Sequence, residues 1–172
     1  MAWERTVLAL IVCGLSSAGI VADRGPVPHM FLPDSVTRGV VERAILGAQV
    51  RLRRRGCRAI FTDFTDQSGR TLVENLESTG LQPAEYVFER VWFVDGSNTR
   101  QCVTSSATAA FTEVGSKVVY VCAATFAKLG HHQTSAAECL IIHELLHTLG
   151  LDENPPSSAE ITARVTARCG GS

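Results

Sequence analysis

Apolar residues recur at helical spacing in two long stretches of the chain. The first stretch is predicted to open at Pro33-Asp34-Ser35 and to form a helix as far as about residue 54. Its inner side carries Val40, Val41, Ala44, Ile45, Ala48 and Leu52. In the second stretch, four apolar residues fall at i, i+3, i+4 and i+7, namely Ile142, Leu145, Leu146 and Leu149. Both stretches are therefore predicted to pack one helical face on a core.

The second helix is predicted to span roughly residues 135–149, with one side on the core and the other facing a cleft. Thr134 or Ser135 can cap its start, and Glu138 lies three residues after Ser135, as in a capping box. Gly150 supplies the stop, because glycine readily adopts the left-handed conformation that ends many helices.

Shorter segments complete the pattern and predict an α+β fold with a mixed β-sheet. Residues 57–64 are predicted as a short strand, and residues 71–77 and the stretch after Pro83 as short helices. Residues 87–94 alternate enough for a strand, which Asp95-Gly96 ends. Residues 107–112 and 117–122 are predicted to pair as a hairpin around Gly115. A last short helix should open with the capping box Ser157-Ser158-Ala159-Glu160.

Length and composition indicate one small globular domain. The chain has 172 residues, of which 45% are hydrophobic and 19% charged, and a net charge of -1. No nucleic-acid partner is expected, because the one basic cluster lies at the end of the first helix, where cations complement the helix dipole. We interpret this cluster as a solvated face. It consists of Arg51, Arg53, Arg54, Arg55 and Arg58.

The N-terminus has the pattern of a bacterial secretory signal. Arg5 is followed by an almost wholly apolar or small run from Thr6 to Ile20, which is short for a membrane span. We therefore assign residues 1–22 to a signal peptide, 23–33 to a linker and 34–172 to the domain. This assignment predicts a secreted or periplasmic protein without stable membrane association after cleavage. A retained membrane anchor is the alternative.

Cysteine usage agrees with export into an oxidising compartment. Removal of the signal leaves an odd number of cysteines, so one thiol should stay unpaired: Cys57, Cys102, Cys122, Cys139 and Cys169. Cys102 and Cys122 form the preferred pair because both flank the predicted hairpin. Cys139 with Cys169 would tie the second long helix to the last one, although connectivity cannot be read from sequence.

The pattern His143-Glu144-Leu145-Leu146-His147 lies on the second long helix. Residues four apart share a helical face, so both imidazoles can reach one metal ion. Glu144 projects at a neighbouring angle, where it can take a proton from a metal-bound water. Catalytic zinc usually has three protein ligands, and the acidic residues that follow Gly150 offer the third: Asp152, Glu153 and Glu160.

These residues resemble the zincin metallopeptidases, and over roughly the C-terminal third the metzincin type. In that type His-Glu-x-x-His-x-x-Gly-x-x is followed by a third ligand, and Glu153 stands at that position here. The familiar metzincin ligand is His, and the snapalysins carry Asp, so Glu is a departure. A Met-turn is also missing, since the only methionines are Met1 and Met30. A gluzincin resemblance would instead make Glu160 the ligand.

The resemblance implies a secreted zinc metallopeptidase, of the endopeptidase kind, that uses one Zn²⁺ ion. His143, His147 and Glu153 would bind the metal, and Glu144 would be the general base. A strand of the hairpin would hold an extended peptide or protein substrate. Candidates for stabilising the oxyanion are Tyr120, His131 and His132. Two alternatives stay open, namely a non-catalytic secreted zinc-binding module and an amide hydrolase acting on cell-wall peptides.

Overall fold

The computed structural model describes residues 27–171, which form an α+β fold as predicted. The predicted signal peptide, residues 1–22, lies outside these residues. The strands are β1 (His29–Phe31), β2 (Trp92–Asp95), β3 (Ala110–Thr112) and β4 (Val118–Val121). The helices are α1 (Ser35–Leu52), α2 (Arg55–Arg58), α3 (Leu72–Glu77), α4 (Pro83–Glu89), α5 (Arg100–Thr104), α6 (Ala123–His132), α7 (Thr134–Thr148) and α8 (Ser158–Cys169).

The four strands form one mixed sheet in the order β1-β2-β4-β3. β1, β2 and β4 run parallel, and β3 pairs antiparallel with β4 at one edge. The predicted hairpin is therefore confirmed, and Gly115 takes the positive φ of 76° that its turn requires. β3 packs against α7, which places this edge strand beside the long helix with the two histidines. β1 lies inside the segment that was assigned to a linker, and it adds the opposite edge.

Helix α1 confirms the first predicted amphipathic helix. The Asp34 side chain caps its start by accepting a hydrogen bond from the backbone N–H of Thr37 at 2.7 Å. All six residues that were predicted for its inner side are buried. That side packs on α6 and α7, so the core lies between these helices and one face of the sheet.

Helix α7 confirms the second predicted helix to within one residue at each end. It ends as expected at Gly150, whose φ is 105°. The N–H of Gly150 bonds to the carbonyl of His147, and the N–H of Leu151 bonds to that of Leu146. This pair of hydrogen bonds is the Schellman arrangement, which satisfies the last carbonyls and turns the chain back beside the helix.

The predicted capping box at the start of α7 is wrong. Ser135 and Glu138 instead both accept hydrogen bonds from Arg51, at 2.9 Å and 2.5 Å. The interpretation of Arg51 as part of a solvated face is wrong for the same reason. Its side chain is 10% exposed, because Glu138 balances its charge and the carbonyl oxygen of Cys169 accepts a further hydrogen bond. The other four arginines of the cluster are exposed.

Two predicted strands are corrected by the structure. No strand forms at residues 57–64, because residues 57–62 belong to α2 and to a 3-10 turn, Ala59–Thr62. Cys57, Ile60 and Phe61 are buried at i, i+3 and i+4, which is helical spacing that a short apolar run conceals. Residues 87–89 belong to α4, so the strand begins only at Trp92. The helices predicted at residues 71–77, after Pro83 and after Ser157 are present as α3, α4 and α8.

Two disulfides stabilise the described part of the chain. Cys102–Cys122 confirms the preferred pairing. The pairing of Cys139 with Cys169 is wrong, because Cys169 bonds to Cys57 and Cys139 is a free, buried thiol. Cys57–Cys169 joins α2 to the end of α8. Beside it Arg168 makes two hydrogen bonds to Asp63, at 2.8 Å and 2.9 Å, which tether the same helix.

Across residues 27–171, none of the helices has both the length and the apolar character that a membrane crossing requires. The disulfides fit an extracellular location.

Candidate metal site

The two histidines of α7 lie one above the other on the helix. Their Nε2 atoms are 3.0 Å apart, and both side chains are almost fully buried. This juxtaposition follows from the spacing of four residues, which returns the chain to the same helical face. The apolar stripe from Ile142 to Leu149 packs into the core on the other side. The rings are therefore held by a rigid element.

The turn at Gly150 brings Glu153 back to the two rings. Oε1 of Glu153 lies 3.6 Å from Nε2 of His143 and 3.4 Å from Nε2 of His147. Donor atoms on a tetrahedral zinc ion with bonds of roughly 2.0–2.1 Å would be about 3.3 Å apart. The observed separations of 3.0, 3.4 and 3.6 Å match this spacing. The group His143, His147 and Glu153 could therefore hold a metal ion.

The other two candidates for the third ligand have different partners. Oδ2 of Asp152 accepts a hydrogen bond from Gln67 at 2.6 Å, and Oδ1 accepts one from the backbone N–H of Glu153 at 2.7 Å. Asp152 thus fixes the backbone of its neighbour. Glu160 is exposed and completes the capping box of α8 with Ser157. The structure does not bring either carboxylate into the cluster.

Each imidazole also has a partner for its second nitrogen. Nδ1 of His147 lies 2.8 Å from the carbonyl oxygen of Leu151, in the turn that follows α7. Nδ1 of His143 lies 3.0 Å from the hydroxyl of Thr162 on α8. When Nε2 binds a metal, Nδ1 carries the proton, and its N–H donates a hydrogen bond to the oxygen beside it, which fixes the orientation of each ring. No local sequence pattern indicates this role of Thr162.

Burial also sets the charge of His143. The pKa of this imidazole is lowered from 6.5 to about 4, chiefly by burial and also by the neighbouring His147, while Glu153 opposes the shift. His143 is therefore neutral near pH 7, and a metal ion requires the neutral form of its histidine ligands. Two imidazoles and a carboxylate form a donor set that suits zinc.

Glu144 lies beside the cluster but not in it. Its side chain is 3% exposed, and Oε2 has no hydrogen-bond partner among residues 27–171. Its pKa is raised from 4.5 to about 7, chiefly by burial; the nearby Thr112 hydroxyl opposes this shift and the charge of Glu153 adds to it. An acid with a pKa near neutrality can both accept and release a proton at physiological pH.

A cleft of about 1000 Å³ opens above these residues. One wall is formed by β3 and the segment before it, from Gln101 to Val114, and the other by the α8 residues Ser158, Thr162 and Thr166. His143, Glu144, His147 and Glu153 all line it. The three candidates for stabilising the oxyanion, Tyr120, His131 and His132, are not among the residues that line it. The free thiol of Cys139 lines the cleft, and burial raises its pKa.

Comparisons of the chain with models of protein families, with curated proteins and with solved structures find no match. Functional inference therefore rests on the motif and on the geometry of the cleft.

Proposed function

We propose that this protein is an exported zinc metallopeptidase that hydrolyses peptide bonds. The observation that carries the proposal is the convergence of two Nε2 atoms and one carboxylate oxygen, 3.0–3.6 Å apart, beside a buried carboxyl group. The spacing and the donor types fit zinc, and the carboxyl group of Glu144 belongs to the same helical turn as the two histidines. This arrangement agrees with the resemblance of the motif to zincin metallopeptidases.

The shape of the site supports catalysis over a purely structural role. Structural zinc sites are closed by four protein ligands, whereas catalytic sites keep a position for water or substrate. Three protein donors converge here, and they line an open cleft of about 1000 Å³. A cleft of this size is large enough to hold several residues of a peptide. A non-catalytic zinc-binding module would need neither the cleft nor a buried acid beside the metal.

The proposed mechanism assigns a separate role to each residue. His143, His147 and Glu153 would hold the zinc ion, which when bound lowers the pKa of water and polarises a carbonyl group. Glu144 would accept a proton from the attacking water and deliver it to the nitrogen of the leaving amine. Thr162 and the carbonyl of Leu151 would hold the two imidazole rings in the orientation that directs each Nε2 atom towards the metal. The free edge of β3 would pair with an extended substrate along the cleft.

The same proposal includes export of the protein. Two disulfides are formed in the described domain, and reducing compartments disfavour such bonds. We assign the apolar run between Thr6 and Ile20 to the signal peptide that directs export. Determining the N-terminal residue of protein recovered from culture medium or periplasm tests this assignment. A start near Gly19 or Asp23 is expected, and an intact Met1 would contradict it.

Incubation of the purified mature protein with an unbiased peptide mixture tests the activity. Cleavage should require zinc, stop on addition of a chelator and return when zinc is restored. The matched variant is Glu144→Gln, which should bind zinc stoichiometrically and lose at least about a hundredfold in turnover, in line with the loss of a general base. A parallel assay on cell-wall peptides distinguishes an amide hydrolase. Zinc binding without cleavage of either substrate would support the non-catalytic module and overturn the proposal.

A further inference from the structure

Thr112 lies on β3, with its side chain on the sheet face that packs against α7. Ala110 and Thr112 alternate with Phe111, whose ring stacks on Tyr120 on the opposite face. Thr112 lines the cleft together with Glu144, β3 packs against α7, and the Thr112 hydroxyl lies within side-chain contact of that carboxyl group. β3 thus presents one hydroxyl group directly to the proposed general base.

Two buried polar atoms in this part of the cleft have no hydrogen-bond partner among the described residues. They are Oγ1 of Thr112 and Oε2 of Glu144, and both are shielded from solvent. Leaving a buried polar group unpaired is costly, so most such groups in folded proteins have a partner. On the same wall, the Thr108 hydroxyl does have a partner, since it donates to Ser105 Oγ at 2.8 Å. Among the buried side-chain polar atoms of residues 27–171, the unpaired ones are therefore those of Thr112 and Glu144.

We propose that Thr112 is a positioning residue for Glu144. Its hydroxyl donates a hydrogen bond to the carboxylate, directly or through one water, and so aims the free oxygen of Glu144 at the attacking water. This inference rests on the proposed hydrolytic function. It adds that a side chain of the substrate-binding strand orients the general base, so that the strand that would hold the peptide also completes the proton-transfer apparatus.

Two variants of Thr112 separate this role from packing. Thr112→Val keeps the shape of the side chain and removes the hydroxyl, whereas Thr112→Ser keeps the hydroxyl. Thr108→Val is the matched control, because it removes a hydroxyl from the same wall that already has a local partner. Each protein is loaded with zinc, and its zinc content, kcat and KM are measured across a range of pH.

Thr112→Val should lower kcat about tenfold or more, with KM and zinc content near the parent values. Thr112→Ser should recover kcat to within about threefold of the parent, and Thr108→Val should stay within about twofold. A kcat of Thr112→Val within twofold of the parent, a serine variant as slow as the valine variant, or a parallel loss of zinc would each overturn the inference.

Crystal structures of the zinc-loaded parent and of Thr112→Val make the test independent of turnover. The parent should place the Thr112 hydroxyl within about 3 Å of the Glu144 carboxylate or of a water that it shares. The carboxylate should turn away in the valine variant. If that contact is present but no peptide is cleaved, the proposed function fails and the positioning role fails with it. If peptides are cleaved and the contact is missing, only the positioning role fails.

Discussion

The hydroxyl of Thr162 lies 3.0 Å from Nδ1 of His143, although the two residues are nineteen positions apart. The contact fixes the ring so that Nε2 faces His147 and Glu153. α8 therefore contributes to the candidate metal site, because it places a hydroxyl oxygen beside the ring of His143. The turn after α7 does the same for the second histidine through the carbonyl of Leu151.

Removing the Thr162 hydroxyl should weaken metal binding. Partners of the ligands typically contribute about 10–100-fold in affinity, and because Thr162 is partly accessible to water we expect the low end of that range for Thr162→Val. Competition with a chromophoric zinc chelator measures the change. Thr166→Val is the control, because Thr166 lines the cleft one turn further along α8 and makes no bond to either histidine. Equal affinities of the two variants would contradict the role of Thr162.

Glu144 should destabilise the metal-free fold above pH 4.5. Its pKa is raised from 4.5 to about 7 by burial, so the unfolded chain releases the proton first and stability falls as the pH rises between these values. Glu144→Gln removes this cost and should stabilise the metal-free protein by on the order of 1–3 kcal/mol at about pH 8. Near pH 4 the parent and Glu144→Gln should have similar free energies of unfolding.

Urea unfolding of metal-free protein at both pH values measures this difference. Glu113→Gln serves as the control, because Glu113 lies at the rim of the same cleft but is exposed. A Glu144→Gln protein that is less stable than the parent at about pH 8 would show that the carboxylate is well solvated in the folded state.

The two disulfides should differ in their contribution to stability. Cys57–Cys169 closes a separation of 112 residues, and Cys102–Cys122 closes one of 20. The loop-entropy model predicts that removing the disulfide that closes the longer loop lowers the free energy of unfolding by about 1.5 kcal/mol more than removing the other one. Paired serine variants, compared by chemical unfolding, test this order.

Peptide mapping under non-reducing conditions should find Cys139 as a free thiol, and a bond between Cys139 and Cys169 would contradict the fold.

Asp66 should make the fold sensitive to acid. Its pKa is lowered from 3.8 to about 2, first by the side-chain amide of Asn75 and then by Ser68. The same amide donates to the carbonyl of Leu149 at the end of α7. The lowered pKa stabilises the fold fully above pH 3.8, and this contribution is lost as the pH falls through about 2. Asp66→Asn should therefore be less stable than the parent at pH 6, and the difference in free energy of unfolding should become smaller towards pH 2. Urea titrations of both proteins at these pH values measure the difference.

The elements that the sequence predicted well are those whose signals are local. α1 has a regular apolar face and an Asp at its N-cap, and α7 has the same regularity with Gly150 at its end. The two histidines are four residues apart on that helix, so their approach follows from helix geometry alone. Even Glu153 could be predicted, because the turn at Gly150 limits where the following residues can lie.

The features that the sequence missed depend on contacts between distant segments. Thr162 and Thr112 carry no local signal, since each acts on a residue of another element. Arg51 looked solvated because Glu138, which balances its charge, lies 87 positions away. The partner of Cys169 depends on the packing of α2 against α8, and α2 itself was hidden in a short apolar run that fits a strand as well as a helix.

The identity of the third donor tests the central claim most directly. Zinc titration of the parent, Glu153→Ala and Glu160→Ala at equal protein concentration compares the carboxylate in the cluster with the one in the α8 capping box. We expect one tightly bound ion per parent chain, a sharp loss of affinity in Glu153→Ala and near-parent affinity in Glu160→Ala. The reverse ranking, or a parent that binds no zinc, would contradict the account.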